Sequence, residues 1–372
     1  MTEKKRICFV LPAFFPETKG GSEFQAYVIA RELLKHGWEV HYIREKGRRV
    51  GPADTVEGIE LHSLPRRNTR LKWLNLPSLF RMMKKIRALF WYCRASVSYV
   101  FPVWLAAKAS GGRVVWACSS RVQVLDEPRR GYRKEFLLFR AFQDLDRLLF
   151  RSVLRKIDLI ILQSHEQKMG LERKWGLSGP VIYNSHPPVS FPEGPREPLV
   201  LWVGRLQPWK HPEHFVHIVR RLHEKPYRFL AMGREIEKTG IVDEFRKTER
   251  FTPNFRYLGE IDREVVCSLL DRARLLVNTS DFEGFSNTFI EAWLRGVPVI
   301  SLTEDPDGLI RDRGLGAVSG SLDRLAGDIE ELMDQPAAWR EISARCRQFA
   351  EEHFNSEVNV RRLEKELLKL QE

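Results

Sequence analysis

The sequence predicts an α/β fold built from two parallel sheets, each in its own domain. The chain has 372 residues, about twice the length of a typical single domain. Apolar strands alternate with helices of 3.6-residue spacing, and this alternation builds parallel sheets. The pattern stops at a proline-rich segment and then starts again. We therefore expect two Rossmann-like domains joined by a linker.

The first half opens with a strand, a helix and a second strand. We expect a strand over 6–12, then a helix over 23–36 with its apolar residues on one face and Gly37 at its end. A strand over 39–43 follows. The other predicted elements of this half are strands over 113–117, 159–163 and 181–183, and helices over 135–156 and 165–175.

Residues 186–198 contain five prolines, Pro192 among them, which the interior of a sheet does not tolerate. We interpret this segment as the linker, with one domain over 1–190 and a second over 191–356. An amphipathic helix over 357–372 follows the second sheet and could cap either domain, including by packing back on the first. The second domain is predicted to have strands over 199–203, 228–232, 255–258, 275–278 and 297–302, and helices over 214–222, 242–248 and 287–295.

The net charge of +12 at pH 7 lies in one half of the chain. Residues 1–190 hold 34 Lys and Arg against 17 Asp and Glu, whereas the rest hold 27 against 32, so the halves carry +17 and −5. No acidic residue occurs between Glu60 and Asp126. An excess of this size predicts an anionic partner: nucleic acid, a membrane surface or an anionic small molecule.

The cysteines and the hydropathy exclude several classes of protein. The 5 cysteines are scattered and include no C-x-x-C pair, which argues against a disulfide framework and for a reducing compartment. No apolar run approaches the ~20 residues of a membrane-spanning helix. The apolar run over 7–15 contains a proline and leads into a glycine turn, so we interpret it as a buried strand and not a signal peptide. We therefore expect a cytoplasmic protein.

Two loops that follow strands have the composition of anion sites. Gly20 and Gly21 follow the first strand and precede a helix, where backbone N–H groups can approach a phosphate. Gly204, Arg205 and Lys210 follow the strand over 199–203, and the two cations can converge on a diphosphate. Alone, the glycine pair is equally consistent with an ordinary turn, and Arg205 and Lys210 alone would be better interpreted as two solvated cations of a loop.

A third segment, over 281–292, decides between these interpretations. Glu283 lies in the loop after the strand over 275–278, and Glu291 lies eight positions later on the next helix. The residues between them place free backbone N–H groups at the helix N-terminus. One carboxylate can therefore meet sugar hydroxyls and the other ribose hydroxyls, with phosphates between them.

This sequence resembles glycosyltransferase family 4, the retaining nucleotide-sugar glycosyltransferases of GT-B fold. The resemblance rests on EGFSNTFIEA from Glu283 followed by RGVPV, on the Gly20–Gly21 loop, and on G-R-L-x3-K from Gly204 to Lys210. It also includes QSHEQ over 163–167 and DPDGLI over 305–310. Together, in this order and spacing, these motifs cover nearly the whole chain.

The resemblance implies a role for each matching residue. Arg205 and Lys210 would bind the donor diphosphate, and Glu283 would contact the transferred sugar and stabilise its oxocarbenium-like transition state. Such enzymes need no metal and no cofactor beyond the nucleoside-diphosphate sugar. The donor-binding residues would be Gly20, Gly21, Gly204, Gly284, Phe285, Ser286, Asn287, Thr288 and Glu291.

The match departs from the family pattern in two places. Many relatives carry an important His after a strand of the first domain, whereas the corresponding segment here reads WACSSR over 116–121. The G-x-G that usually follows a second-domain strand is replaced here by Gly233-Arg234-Glu235.

Three histidines, His211, His214 and His217, lie three residues apart and could suggest a metal site. On a helix they would fan around its surface, so we predict no metal site.

Residues 79–90 have the pattern of a basic amphipathic helix that can lie on anionic lipid. Its cations are Arg81, Lys84, Lys85 and Arg87, and residues 66–73 add further positive charge. The alternative is a helix that packs on its own domain and exposes a solvated face. The acid-free span favours the membrane or acceptor interpretation.

Together these observations predict a cytoplasmic, membrane-peripheral glycosyltransferase. It would move a sugar to a glycan or lipid-linked acceptor in the synthesis of a bacterial surface polysaccharide or glycolipid. One alternative is a basic nucleic-acid-binding protein, but the basic span has no recognition motif. The other is an inactive scaffold of the same family, which the intact carboxylates and cations argue against.

Overall fold

The computed structural model describes residues 5–15, 17–18, 20–45, 55–65, 72–94, 96–125, 137–191, 194–236 and 239–371. The chain forms two compact units. The first comprises Met1–Pro187 together with Asn355–Glu372, and the second comprises Pro188–Phe354. Pro192 and residues 66–71 of the predicted linker and basic stretch lie outside the described residues.

The first unit is built on a seven-stranded sheet in the order β3-β4-β2-β1-β5-β6-β7. Its strands are β1 (Arg6–Val10), β2 (Glu39–Glu45), β3 (Thr55–Val56), β4 (Ile59–Leu64), β5 (Phe90–Arg94), β6 (Arg113–Ala117) and β7 (Leu159–Ile161). All pairs are parallel except that of β3 with β4. The central strands β1 and β5 are almost wholly buried, as expected for a parallel sheet covered on both faces.

Helices cover this sheet because each buries an apolar face against it. They are α1 (Gly21–Lys35), α2 (Leu76–Ile86), α3 (Val100–Ser110), α4 (Arg121–Leu125), α5 (Leu137–Leu154) and α6 (His165–Trp175). One face of the core gathers Leu79, Trp91 and Trp116, and the other gathers Phe9 and Tyr42.

The second unit is built on a six-stranded parallel sheet in the order β10-β9-β8-β11-β12-β13. Its strands are β8 (Leu199–Val203), β9 (Arg228–Met232), β10 (Phe255–Tyr257), β11 (Leu275–Asn278), β12 (Val299–Ser301) and β13 (Gly316–Val318). Its helices are α7 (Pro212–Arg221), α8 (Ile241–Phe251), α9 (Arg263–Arg272), α10 (Asn287–Leu294), α11 (Leu309–Asp312), α12 (Leu322–Asp334) and α13 (Pro336–His353).

The last helix, α14 (Ser356–Lys369), belongs to the first unit. Asn355 caps it by accepting a hydrogen bond from the backbone N–H of Glu357 at 2.9 Å. Val360 and Leu363 join the core beneath α1, and Glu364 accepts from the indole N–H of Trp38 at 2.9 Å. These contacts explain why the segment after Phe354 groups with residues far from it in sequence.

The prediction of one helix over 79–90 was wrong. Helix α2 ends at Ile86, because Arg87 adopts the left-handed conformation with φ 52°, and Phe90 begins the buried strand β5. The apolar residues 89 and 90 continue the helical spacing by coincidence. They belong to the next element along the chain.

The predicted strand over 181–183 is also wrong. Within the described residues, Val181 makes only an isolated parallel bridge with Leu162. Four other predicted strands, 113–117, 199–203, 228–232 and 275–278, match β6, β8, β9 and β11 in both bounds.

Candidate functional site

The candidate site of the second unit lies where two neighbouring parallel strands end. Strands β8 and β11 pair with Trp202 beside Val277. The carboxyl ends of parallel neighbours meet at one edge of the sheet, where α/β proteins bind ligands. The loop after β8 carries Arg205 and Lys210, and the loop after β11 covers 279–286.

An ion pair between Lys210 and Glu283 joins the two loops. The ammonium of Lys210 contacts Glu283 Oε1, which also accepts from the hydroxyl of Ser280 at 2.9 Å. The backbone N–H of Glu283 donates to Glu304 Oε2 at 2.8 Å. Both paired side chains are largely buried, with 18% and 13% of their surfaces exposed. The structure therefore brings together two residues that the sequence assigned to catalysis.

Thr279 fixes the position of the lysine loop. Its hydroxyl donates to the carbonyl of Lys210 at 2.6 Å and accepts from the indole N–H of Trp202 at 2.9 Å. The backbone N–H of Asp281 donates to the carbonyl of Trp209 at 2.9 Å. These bonds hold both loops to the sheet, so the ion pair rests on a fixed backbone.

Two glycines allow the loops after β8 and β9 to touch. The Gly204 N–H donates to the Met232 carbonyl at 3.0 Å. Gly233 has φ +150°, and a Cβ there would lie 1.7 Å from the carbonyl oxygen of Gly204, so only glycine fits. The Leu206 N–H continues this contact by donating to the Arg234 carbonyl at 2.9 Å. The departure from G-x-G at Glu235 leaves this backbone pairing intact.

Arg205 differs from Lys210 in its surroundings. Its side chain is exposed, and it has no hydrogen bond or ion pair within the part of the chain that the structure describes. A guanidinium in this state can turn toward an anionic ligand without first breaking a protein contact.

Helix α10 begins in the middle of the predicted motif. Ser286 is its N-cap residue in an extended conformation, and Phe285 anchors the turn by packing on Phe354 with ring centroids 5.4 Å apart. Gly284 is exposed beside them. The N-terminus of a helix presents backbone N–H groups and a positive dipole end, which favour a bound anion.

Glu291 lies in the interior of α10, with its carboxylate 7% exposed. Arg263, at the start of α9, donates from Nε to Glu291 Oε1 at 2.7 Å. The carboxylate is thus buried and held by a partner 28 positions away in sequence. The sequence analysis missed Arg263, and its spacing from Glu291 carries no signal that would have revealed it.

His211 connects the lysine loop to the loop after β11. Its Nε2 lies 2.8 Å from Asp281 Oδ2, and its Nδ1 lies 2.7 Å from Glu213 Oε1. Burial lowers the pKa of His211, but hydrogen bonds to the two carboxylates outweigh it, so the pKa lies above the usual value. The ring stacks on His214 at 4.7 Å, and His217 is not part of this cluster.

The Gly20–Gly21 loop lies in the first unit, at the N-terminus of α1. Gly20 is the N-cap residue with an extended backbone. A Cβ on Gly20 would lie 2.0 Å from Glu23 Oε2, so the Glu23 carboxylate folds back over the glycine. A carboxylate at this position uses the favourable field of the helix N-terminus, and a bound phosphate would compete with it.

The segment after β6, where relatives carry a histidine, begins with Cys118. Its thiol is wholly buried, and burial raises its pKa to about 12 although the backbone of Ser120 and the charge of Arg94 act the other way. A thiol that stays protonated near neutral pH is not a nucleophile or a base. Cys118 therefore does not replace the missing imidazole.

Helix α2 turns its apolar residues inward. Leu79, Met83 and Ile86 are buried in the core of the first unit. The cations on the opposite side, all exposed, are Arg81, Lys84, Lys85 and Arg87. The apolar stripe is thus used for packing within the unit, and the helix offers its basic face. Among the described residues, none of the helices is long and apolar enough to cross a bilayer.

Comparison with known proteins identifies the family. Residues 19–190 match the profile of Glycosyltransferase Family 4, and residues 197–335 match that of Glycosyl transferases group 1. The chain belongs to glycosyltransferase family 4. The two profiles meet near the boundary between the two units, so each unit carries one half of the family's sequence pattern.

One curated relative of this chain is the O-antigen chain mannosyltransferase B of Escherichia coli, 33% identical over 42% of this chain and 44% of that protein. The alignments span less than half the length of the first curated relatives.

Solved structures show the same fold over the full length. A sucrose-phosphate synthase from Thermosynechococcus elongatus has a TM-score of 0.81 at 18% identity, with 99% of each chain covered. An Anabaena protein in complex with UDP and glucose has a TM-score of 0.72 at 15% identity, covering 98% of this chain and 99% of that one. The fold is GT-B, as the resemblance implied.

Proposed function

We propose that this glycosyltransferase moves a sugar from a nucleoside-diphosphate sugar to a glycan or lipid-linked acceptor, with retention of anomeric configuration, in bacterial surface polysaccharide synthesis. The observation that carries the proposal is the Lys210–Glu283 pair at the ends of two adjacent parallel strands, beside the N-terminus of α10. The E. coli relative acts on an O-antigen chain, and the Anabaena structure holds UDP and glucose. Both support this substrate class.

The donor diphosphate would be bound by charge and by backbone groups together. Arg205 is exposed and supplies a planar fork, while Lys210 supplies a point charge. The N–H groups of Phe285, Ser286 and Asn287 at the start of α10 add donors and the helix dipole. A bound diphosphate would draw Lys210 away from Glu283 and leave that carboxylate available to the sugar.

Glu291 would bind the ribose hydroxyls. A carboxylate that is ionised and fixed accepts two hydrogen bonds from neighbouring hydroxyl groups. Arg263 orients the Glu291 carboxylate through a hydrogen bond of 2.7 Å. The protein would therefore meet the ribose with an acceptor that is already in place, which lowers the entropy lost on binding.

In the proposed reaction the bond between the anomeric carbon and the β-phosphate oxygen breaks, and a bond to the acceptor oxygen forms on the same face. The acceptor hydroxyl gives its proton to the departing diphosphate. Lys210 and Arg205 stabilise the negative charge that develops on the leaving group, and Glu283 stabilises the positive charge on the sugar. No metal and no further cofactor enters this scheme.

We further propose that the basic face of α2 draws the protein to an anionic membrane surface at the cytoplasmic side. Because Leu79, Met83 and Ile86 are buried, the attraction would be electrostatic and would not involve insertion. Sedimentation with anionic vesicles tests this, and replacement of Lys84, Lys85 and Arg87 by Glu should abolish it. Unchanged sedimentation of that variant, or displacement by RNA at physiological salt, would contradict it.

A panel of nucleoside diphosphates and nucleotide sugars, screened by thermal shift, tests the donor proposal. A ligand that binds only the native state raises the melting temperature in proportion to RT ln(1 + [L]/Kd). We expect one nucleotide series to stabilise the wild type and to lose its effect in Glu291→Ala. A panel in which no nucleotide shifts the wild type would contradict a nucleotide-sugar donor.

A further inference from the structure

Two histidines and a glutamate meet on neighbouring strands of the first unit. His41 lies on β2, and Glu60 and His62 lie on β4, where His41 pairs with Glu60 and Ile43 pairs with His62. Residues two apart on a strand point to the same face, so Glu60 and His62 share the face that His41 occupies. The sequence analysis gave no role to any of the three.

The spacing of their ligand atoms fits a small tetrahedral cation. His41 Nδ1 lies 3.1 Å from His62 Nε2 and 3.2 Å from Glu60 Oε2, and all three atoms lie within 4.8 Å of one another. Metal–ligand bonds of about 2.0–2.1 Å in a tetrahedron give ligand separations of about 3.4 Å. The two measured edges are within a few tenths of an ångström of that value.

A second carboxylate fixes the tautomer of His41. The Nε2 of His41 lies 2.9 Å from Glu39 Oε1, and Glu39 is itself held by Arg6, whose Nε and Nη2 donate at 2.7 and 2.9 Å. A histidine that ligates a metal commonly donates its other N–H to a carboxylate, which leaves the facing nitrogen with its lone pair. Glu39 thus places the Nδ1 lone pair toward Glu60 and His62.

The site combines a buried anchor with access from solvent. The His41 side chain is 6% exposed and that of Glu60 is 52% exposed, so an ion can enter from the Glu60 side. We propose that His41, Glu60 and His62 bind a zinc ion, with water as the fourth ligand and Glu39 as a positioning residue. Nitrogen and oxygen ligands in this number suit Zn²⁺.

The ion would tie β4 to β2 and would take no part in sugar transfer, whose proposed residues Lys210, Glu283 and Glu291 belong to the second unit. In the metal-free alternative, His41 only bridges the two carboxylates Glu39 and Glu60. Measured zinc binding distinguishes the two arrangements.

The second cluster of this kind, His211 with Glu213 and His214, fits a metal less well. Its ligand atoms also lie within 4.8 Å of one another, but the rings of His211 and His214 are stacked with an interplanar angle of 12°, so the in-plane lone pairs of the two rings do not point at a common ion. Both nitrogens of His211 already face carboxylates. This cluster therefore supplies a control, the variant His214→Gln.

The test uses the untagged full chain, which is stripped of metal with a chelator, loaded with ZnCl₂ and desalted. The zinc that stays bound is then measured, and its affinity is determined by competition with a chromophoric chelator. We expect one zinc per chain in the wild type and in His214→Gln. Glu60→Gln and His62→Gln should bind at least about tenfold more weakly, and Glu39→Gln about tenfold more weakly because it acts through His41. Co²⁺ in place of zinc should give the absorption of a four-coordinate site.

Glu60 is half exposed, so Glu60→Gln should fold, and circular dichroism of the metal-free variants checks this for each. The proposal is overturned if the wild type retains no zinc, which would leave His41 as a metal-free bridge between Glu39 and Glu60. It is equally overturned if Glu60→Gln and His62→Gln keep the wild-type affinity. Zinc binding is read without a sugar donor, so failure of this proposal and failure of the transferase proposal are distinguishable.

Discussion

Arg263 donates from Nε to Oε1 of Glu291 at 2.7 Å, and this ion pair holds the carboxylate that is proposed to bind the donor ribose. Removing Arg263 takes this ion pair from a buried carboxylate. We expect Arg263→Ala to lower the free energy of unfolding by roughly 1–3 kcal/mol and to raise KM for the donor more than it lowers kcat. Urea denaturation and donor kinetics measure both effects.

A matched control lies on the same helix. Arg272 pairs with Glu197 at the surface, with 53% of its side chain exposed, so Arg272→Ala should change stability by less than about 0.5 kcal/mol. The double variant Arg263→Ala with Glu291→Gln should recover stability without recovering donor affinity. Full donor affinity in Arg263→Ala would show that Glu291 needs no positioning partner.

The Glu23 carboxylate that folds over Gly20 gives a second prediction. Since a bound phosphate would compete with this carboxylate, Glu23→Gln should bind the nucleotide sugar more tightly, by a few-fold at low ionic strength. Titration calorimetry at two salt concentrations measures the change. Equal affinities of the variant and the wild type for the nucleotide sugar would show that the Gly20–Gly21 loop does not take part in donor binding.

Gly233 is predicted to accept no side chain. A Cβ would overlap the carbonyl oxygen of Gly204 at 1.7 Å, so Gly233→Ala should lose about 3 kcal/mol or more of stability and separate the loops after β8 and β9. Gly240 also has a positive φ, +81°, but nothing lies within 4 Å of its Cβ position. Gly240→Ala should therefore cost only about 1–2 kcal/mol. Similar melting temperatures for the two variants would contradict the close approach of Gly233 to the carbonyl oxygen of Gly204.

His211 predicts a pH dependence of stability. Burial lowers the pKa of His211. The hydrogen bonds to Asp281 and Glu213 raise this pKa by more than burial lowers it, so the net shift is upward. A raised pKa means that the folded state holds the proton more tightly, so its contribution is full below the unfolded pKa near ~6.5. That contribution disappears as pH rises through the folded pKa.

The difference in melting temperature between wild type and His211→Asn should therefore shrink from roughly pH 6 to pH 8. Asn is chosen because His211 has φ 45°, a conformation that Asn tolerates. A difference that stays constant with pH would mean that His211 has the same pKa in the folded and the unfolded protein.

The sequence predicted the sheet of the second unit well because its strands are short apolar runs bounded by turns. Strands β8, β9 and β11 match their predicted bounds. Helix α2 was predicted too long because the spacing of residues 89 and 90 cannot distinguish a continuing helix from a new buried strand. The spacing of apolar residues along the chain does not show which other elements pack against them.

The sequence likewise predicted one part of the candidate site and missed another. The loop positions of Lys210 and Glu283 were predictable, because motifs after strands of a parallel sheet converge at one edge. The partners from distant parts of the chain were not, since Arg263 reaches the carboxylate of Glu291 and Glu304 reaches the backbone of Glu283 only through tertiary contacts. The histidines of β2 and β4 were missed for that reason too, since their meeting depends on strand register.

Lys210 and Glu291 are the residues on which the proposed turnover of a nucleotide-sugar donor most depends. Its most direct measurement is the release of nucleoside diphosphate from the donor that the thermal-shift panel selects, in wild type, Lys210→Ala, Glu291→Ala and the surface control Lys225→Ala. We expect turnover in the wild type and the control, and a loss of about a hundredfold or more in the other two, with melting temperatures showing that all four are folded. Full activity of both Lys210→Ala and Glu291→Ala would contradict the mechanism.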